Sequence, residues 1–325
     1  MKKTIIASAI AAAVSAPAAF ADVTISGMVN PEYAIQNDDS VDFTPNTDLV
    51  ISGSETLDNG MKVSFKYHQF ADGAESASGI DGANEGFTET AATSTAGSST
   101  YDKGNADGAN GGKLADLSVT LSGDFGSISA GRMESFHEAV AQGFVNIDAS
   151  HDADLENNLT SNSIGDRVNG AIAYTSPSFN GLTVSAASIS LNDTDDDGSD
   201  ATDIMVKYSN NGLMVFAEQF DIDGGAEATA FGASYKMGDI EVRAMQRTHK
   251  TAAGVEKDAS FLGAKYNMGN ITLAAGKLDE DTASKDASIL SVEYKLSKRT
   301  SVYAVDMNSD ATAEDQTVFG IKHTF

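Results

Sequence analysis

The sequence contains no cysteine and no tryptophan, and only 4 of its 325 residues are proline. Without cysteine there is no disulfide framework, no thiolate zinc site and no thiol nucleophile. Basic side chains are scarce: 21 Lys and Arg stand against 47 Asp and Glu, a formal charge of −26. That balance argues against a nucleic-acid partner, because binding a phosphate backbone needs cationic groups. Long apolar runs are missing too, since none reaches the roughly 18–20 residues of a membrane-crossing helix. A membrane β-barrel remains open, because it crosses with short alternating strands. What is present is a modest hydrophobic content of 41% and 30 scattered glycines. The length allows two ordinary domains or one large barrel.

The chain opens with an address. Lys2 and Lys3 precede an almost wholly apolar stretch, Ile5–Val14, and Ala19-Phe20-Ala21 forms a small-x-small cleavage site. This predicts a secretory leader over residues 1–21, with an apolar run too short for an anchor. The mature chain, 22–325, is then exported and lives without disulfides.

A hairpin recurs along the second half. Residues 230–242, 261–273 and 290–303 each combine an alternating strand, a Tyr, a tight turn and another alternating strand. Gly238-Asp239 and Gly269-Asn270 suit tight hairpins, since Gly takes positive φ at little cost. Tyr174, Tyr208, Tyr235, Tyr266 and Tyr294 all stand shortly before such a turn. Along 260–268, Leu262, Ala264, Tyr266 and Met268 share one face and Ser260, Lys265 and Asn267 the other. Along 239–247, Ile240, Val242 and Ala244 oppose Glu241, Arg243 and Arg247. A soluble sandwich needs apolar inner faces, so charged inner faces argue against one. A mild apolar face ending in Tyr fits a lipid-facing band with an aromatic girdle.

The pattern predicts strands over 23–36, 46–57, 60–70, 113–123, 126–133, 167–176, 181–191, 201–210, 212–222, 227–237, 239–249, 258–268, 271–279, 286–297, 299–308 and 315–325. The expected fold is all-β, a 16-stranded antiparallel transmembrane barrel, the even number placing both termini on one side. One side carries short turns and the other carries longer loops rich in Asp, Gly, Ser and Thr. Two loops are very long, about 71–112 and about 134–166. The first is poor in hydrophobics. The second contains Phe136, Val140, Phe144, Val145 and Ile147, so it is expected to pack against something.

Three segments carry a family likeness. In 49–70 the residues Gly53, Ser54, Glu55, Leu57, Asn59 and Gly60 fall as in the second hairpin of Gram-negative general diffusion porins. Residues 121–136 resemble the turn between that family's fourth and fifth strands, through Gly123, Phe125, Gly126, Gly131 and Arg132. Residues 166–187 resemble its sixth-to-seventh hairpin, through Arg167, Asn169, Tyr174, Ser176, Pro177 and Gly181, and the chain ends in Phe325. The resemblance implies a homotrimer of sixteen-stranded outer-membrane barrels and a third external loop folded into the lumen. It also implies contact with outer-membrane lipid and lipopolysaccharide, and delivery to the barrel assembly machinery through Phe325.

A diffusion channel needs no covalent chemistry, so no catalytic residue, cofactor or metal is expected. Its function rests on charged side chains at the narrowest section, where ions are sorted at close range. The acidic candidates on the third external loop are Glu134, Glu138, Asp148, Asp152, Asp154 and Glu156. The basic candidates on the facing wall are Lys62, Lys66, Arg132 and Arg167. Lys62 and Lys66 alternate with Met61, Val63, Phe65 and Tyr67, which turns both lysines inward. Arg167 opposes Val168, Gly170, Ile172 and Tyr174 and is likewise expected to point in. Simple alternation would put Arg132 in lipid, so a bulge at Gly131 is expected to re-aim it. Asp48 and Thr175 stand where relatives carry Arg, which thins the basic wall and points to a preference for cations.

Other signals are weaker. Residues 193–198 resemble the start of an EF-hand loop, but the twelfth position is Ile204 rather than Glu. Loose divalent-ion binding by such acidic loops is one reading, and a solvated loop is the other. His68, His137, His151, His249 and His323 show no zinc-helix spacing. A hydrolytic site around His137 and His151 has no nucleophile-elbow sequence behind it. A substrate-specific channel would carry an aromatic or arginine ladder, and none is readable.

Overall fold

The computed structural model describes residues 22–70, 113–151, 153, 155–159, 167–190, 200–281, 285–310 and 315–325. The expected leader, the 71–112 loop, Asp152, Asp154 and the 193–198 segment lie outside the described residues. Sixteen strands close into one barrel, each antiparallel to its neighbours, with the first paired to the last. They are β1 (Asp22–Gln36), β2 (Val41–Thr56), β3 (Lys62–Phe70), β4 (Lys113–Gly123), β5 (Gly126–Glu134), β6 (Arg167–Thr175), β7 (Leu182–Ser190) and β8 (Asp200–Asn210). There follow β9 (Leu213–Ile222), β10 (Glu227–Met237), β11 (Ile240–Lys250), β12 (Glu256–Met268), β13 (Ile271–Glu280), β14 (Ala287–Lys295), β15 (Thr300–Ser309) and β16 (Gln316–Thr324). Between β5 and β6 lie a helix, α1 (Phe136–Val145), and a short 3-10 turn, Leu155–Asn158.

Closure leaves no unpaired sheet edge facing lipid, which is the condition for strands to span a bilayer. The outward positions carry the large exposed apolar side chains, such as Val119, Ile172, Val206, Phe231, Leu262 and Leu290. Tyr174, Tyr235, Tyr266 and Tyr294 share that face near the short turns, as an aromatic girdle would. Away from the short turns many inward positions of β8 to β16 are buried, and much of the apolar core lies there. At the seam, Gly27 and Phe325 exchange backbone hydrogen bonds in both directions.

β2 starts earlier than its sequence suggests, at Val41 rather than 46. The added residues include Pro45, which cannot donate to a ladder. In the barrel Pro31 and Pro45 lie directly opposite each other. The register of β16 on β1 is the same on both sides of Pro31 but interrupted at Asn30 and Pro31, and that of β3 on β2 begins beyond Pro45, at Asp48.

Candidate functional site

The segment after β5 lies against the inward face of the barrel. Its start is fixed by capping. The Ser135 hydroxyl accepts the Glu138 backbone N–H at 2.9 Å, and Ser135 and Glu138 have the spacing of a capping box. The Asp203 carboxylate of β8 accepts the backbone N–H groups of Phe136 and His137, at 2.6 and 3.3 Å. An anion at a helix N-terminus satisfies orphan donors and meets the positive end of the dipole. His137 Nδ1 lies 2.7 Å from Glu218 Oε2, both buried. The apolar stripe of α1, with Val140, Phe144 and Val145, packs into a cluster with inward Phe216, Ala230, Met245 and Ala259. Phe144 meets Phe216 edge to face, ring centroids 4.5 Å apart. At the other end, Arg243 donates to the Gly143 carbonyl.

Beyond α1 the chain continues along β12 to β16 and reaches β1. Ile147 rests over Gly263 and Gly276. Glu32 of β1 is wholly buried and holds the next residues. Its carboxylate accepts the Ser150 hydroxyl at 2.7 Å, the His151 N–H at 2.9 Å, the Tyr303 hydroxyl at 2.7 Å and the Asn46 amide at 2.6 Å. Lys322 donates to the Ala149 carbonyl at 3.1 Å. A buried carboxylate is tolerated only when its lone pairs are filled, and these four donors fill them.

The opposite wall, β2 to β7, has a different inner face. It is lined by short hydroxyls, with Thr120 and Ser129 at 2.8 Å and Thr175 and Ser185 at 2.9 Å. Among them stands a charged group centred on Asp116, which is only 3% exposed. Lys66 Nζ lies 2.7 Å from Asp116 Oδ2, and His68 Nδ1 lies 3.0 Å from the same oxygen. Asp116 Oδ1 accepts the Glu134 N–H at 3.2 Å and stands 3.9 Å from Arg167 Nε. Arg167 Nη1 is 3.4 Å from Glu134 Oε1, and its guanidinium lies over the Phe70 ring at 5.7 Å. Asp48 approaches the far nitrogen of His68 at 4.0 Å.

The sequence-predicted residues therefore divide. Lys66, Arg167, Glu134 and Asp48 come together around Asp116. Lys62 stands apart, near the turn, opposite Ser122. Arg132 donates to the Leu114 carbonyl at 2.8 Å and to Asn169 Oδ1 at 2.9 Å. The register shift between Gly131 and Met133 falls where a bulge was expected, with Gly131 at φ 134°. Any side chain at Gly131 would run into the Leu117 carbonyl. Asp148 accepts the Ser150 N–H at 2.7 Å. Glu138 and Glu156 are buried, Glu156 accepting from the Asn146 amide at 3.3 Å.

One expectation needs correction. Val168 is not on the lipid face but buried with Ala171, Ile189, Ala201, Phe220 and Ala228. Gly170, at φ 60°, interrupts the alternation between Val168 and Ala171, so parity did not carry across it. Arg167 reaches Asp116 all the same. The sequence reading missed Asp116, Asp203, Glu218 and Glu32. Strand parity would have turned each inward, and an inward acid in a barrel wall is itself the signal.

A family model described as Gram-negative porin matches residues 7–313. No curated protein matches the chain. Among solved structures, the anion-selective porin from Comamonas acidovorans is 22% identical with a TM-score of 0.62, over 94% of this chain and 100% of that one. A mutant of Rh. blastica porin is 16% identical with a TM-score of 0.68, over 94% and 100%. OmpF of Salmonella typhi, in a complex with daunomycin, is 13% identical with a TM-score of 0.69, over 93% and 97%.

Proposed function

From the premise that the chain belongs to the Gram-negative porins, we propose that its lumen is a water-filled, moderately cation-preferring path for ions and small hydrophilic solutes. The chain is a multi-pass β-barrel of the bacterial outer membrane, a channel and not an enzyme. The observation that carries the reading is the closed barrel with its polar wall on β2 to β7 facing a packed loop on β8 to β1. The passage between them is the constriction. Lys66, Arg132 and Arg167 stand on its basic side, where Glu134 of β5 is paired with Arg167 rather than facing it from the loop, and Asp148 stands on its acidic side. Asp152 and Asp154 join the acidic side by sequence alone. Glu138 and Glu156, buried between loop and wall, serve as anchors rather than as lining.

The cation preference is supported by compensation. Each cation near Asp116 has a carboxylate at hand, and Asp48 adds another where relatives carry Arg. The Comamonas porin is named for the opposite sign, so the sign is a property of side chains and not of the fold. We further propose that residues 1–21 are removed on export, that Phe325 engages the barrel assembly machinery, and that the outer face meets lipopolysaccharide. The mature barrel is proposed to form a homotrimer through β1 and β2, whose outer faces are apolar over an unusual height.

Planar-bilayer recording tests the channel. Purified protein should give ohmic, long-lived steps, and silent insertion of folded barrel would sink the reading. In a potassium chloride gradient the reversal potential should have the cation sign and shrink at high salt. Asp48→Arg should move it toward anions. An anion-selective wild type would overturn the preference and leave the channel standing.

A further inference from the structure

We infer that Asp116 is a specificity-determining residue, which sets the ion preference by cancelling the cations of the wall that faces the loop. The inference rests on the channel reading above. Nothing in the loop-against-wall scheme requires an acid on the basic side. Yet Asp116, at an inward position of β4, lies in the middle of that side. One oxygen takes the Lys66 ammonium and the His68 ring nitrogen, at 2.7 and 3.0 Å. The other takes the Glu134 N–H at 3.2 Å and faces Arg167 at 3.9 Å.

The exposure of the partners gives the arrangement its effect. The Lys66 side chain is 48% exposed while that of Asp116 is 4% exposed, so the carboxylate lies behind the ammonium. Seen from the lumen, the pair is a dipole, whose potential falls off faster than that of a lone charge. Arg167 is 11% exposed and lies between Asp116 and Glu134. Two full positive charges are thereby held against carboxylates, where a passing anion meets them already neutralised. The same carboxylate fixes the last residue of β5, at the base of the loop, through the Glu134 N–H, and the Glu134 side chain lies within reach of Arg167. Wall charge and loop base are thus set by one residue. Removing Asp116 would leave Lys66 without its carboxylate and Arg167 with Glu134 alone, so the wall would gain one positive charge and the preference would move toward anions.

A double-mutant cycle tests this, read as reversal potentials in a potassium chloride gradient. The four proteins are the wild type, Asp116→Asn, the pair Lys66→Gln with Arg167→Gln, and the triple variant. Asn keeps the shape of the side chain and an acceptor for the Glu134 N–H. A unit charge uncovered at about 8 Å in water biases each ion about twofold. In the wild-type background Asp116→Asn should therefore lower the cation-to-anion permeability ratio by about fourfold at low salt. In the Lys66→Gln, Arg167→Gln background the buried carboxylate has lost its cations and takes up a proton, so replacing it removes no charge and its effect should be less than about twofold. Pyrophosphate added to one side should block Asp116→Asn more strongly than the wild type, and Asp116→Glu should restore the wild-type potential. An equal shift in both backgrounds would mean that Asp116 acts by its own charge alone and would overturn the inference, as would no shift. If Asp116→Asn does not assemble, Lys66→Gln reads the contact from the other side. A shift toward cations below about twofold supports cancellation, and a shift of about fourfold overturns it. A wild type without conductance would overturn the channel reading and this inference with it. A conducting wild type with an indifferent Asp116 overturns the inference alone.

Discussion

At His137 the surroundings select the uncharged ring. Burial first, and then the Arg247 guanidinium, bring its pKa down from 6.5 to about 3, against the pull of Asp203 and Glu138. With Nδ1 facing Glu218 at 2.7 Å, the neutral tautomer that donates from Nδ1 fits the site. An undocked His137 titrates near its ordinary value. Because the docked value is lower, the contribution of the ring to docking is at full strength above about pH 6.5. It weakens by about 1.4 kcal/mol per pH unit as pH falls from there toward about 3. Relative to His137→Gln, loop fluctuations of the wild type, seen as current noise in single channels, should thus increase between about pH 6 and 4. Noise that rises equally in His137→Gln would assign the effect to the neighbouring carboxylates and refute the role of the ring.

The same contacts make α1 a unit that is added to a finished barrel. None of its residues enters the strand ladder; it is held by Asp203 at one end, by Arg243 at the other and by its apolar stripe between. Excising Phe136–Val145 should therefore leave a folded barrel and enlarge the single-channel conductance. Unchanged conductance in a folded mutant would show that this segment does not narrow the passage. The helix was not legible in the sequence as a helix, although Ser135 and Glu138 have the spacing that announces one. Only its apolar residues were read, and these said that the loop packs without saying on what. The strands were legible because alternation is a one-step pattern that a barrel enforces on every strand. It misled where the backbone broke step at Gly170, which leaves Val168 and Ala171 on the same buried face. The charges of the lumen were half legible. Parity placed Lys66 inward, but its partner Asp116 is 50 residues away in sequence and comes beside it only through the pairing of β3 and β4.

The outer surface of the whole molecule is uneven in a way that bears on assembly. On β12 the outward apolar run is Met268, Tyr266, Ala264 and Leu262, after which Ser260 and Asp258 take over. That run spans about 20 Å along the strand, close to the roughly 25 Å band that lipid covers. On β1 the outward positions run from Val23 through Ile25, Val29, Pro31 and Tyr33 to Ile35, about 40 Å along the strand. β2 continues the patch with Val41, Phe43 and Pro45, and Tyr33 and Phe43 stack at 4.9 Å. Tyr33, Val41 and Phe43 are 53%, 60% and 50% exposed in the single chain. Strand tilt shortens this height but still leaves the upper part above the hydrocarbon, where water would meet it. A second copy of the chain offers an apolar cover of matching height, and a rotational arrangement closes such contacts into a ring, for which the family resemblance implies three copies. Unheated detergent samples should therefore migrate near three chain masses and insert into bilayers as triple steps. Phe43→Asp together with Tyr33→Asp would place two charges in the patch, on the outward face and away from the lumen. That variant should yield folded monomers whose single steps equal one third of the wild-type event. A wild type that is a monodisperse monomer, after correction for bound detergent, would leave the tall apolar face to some other cover and refute the trimer.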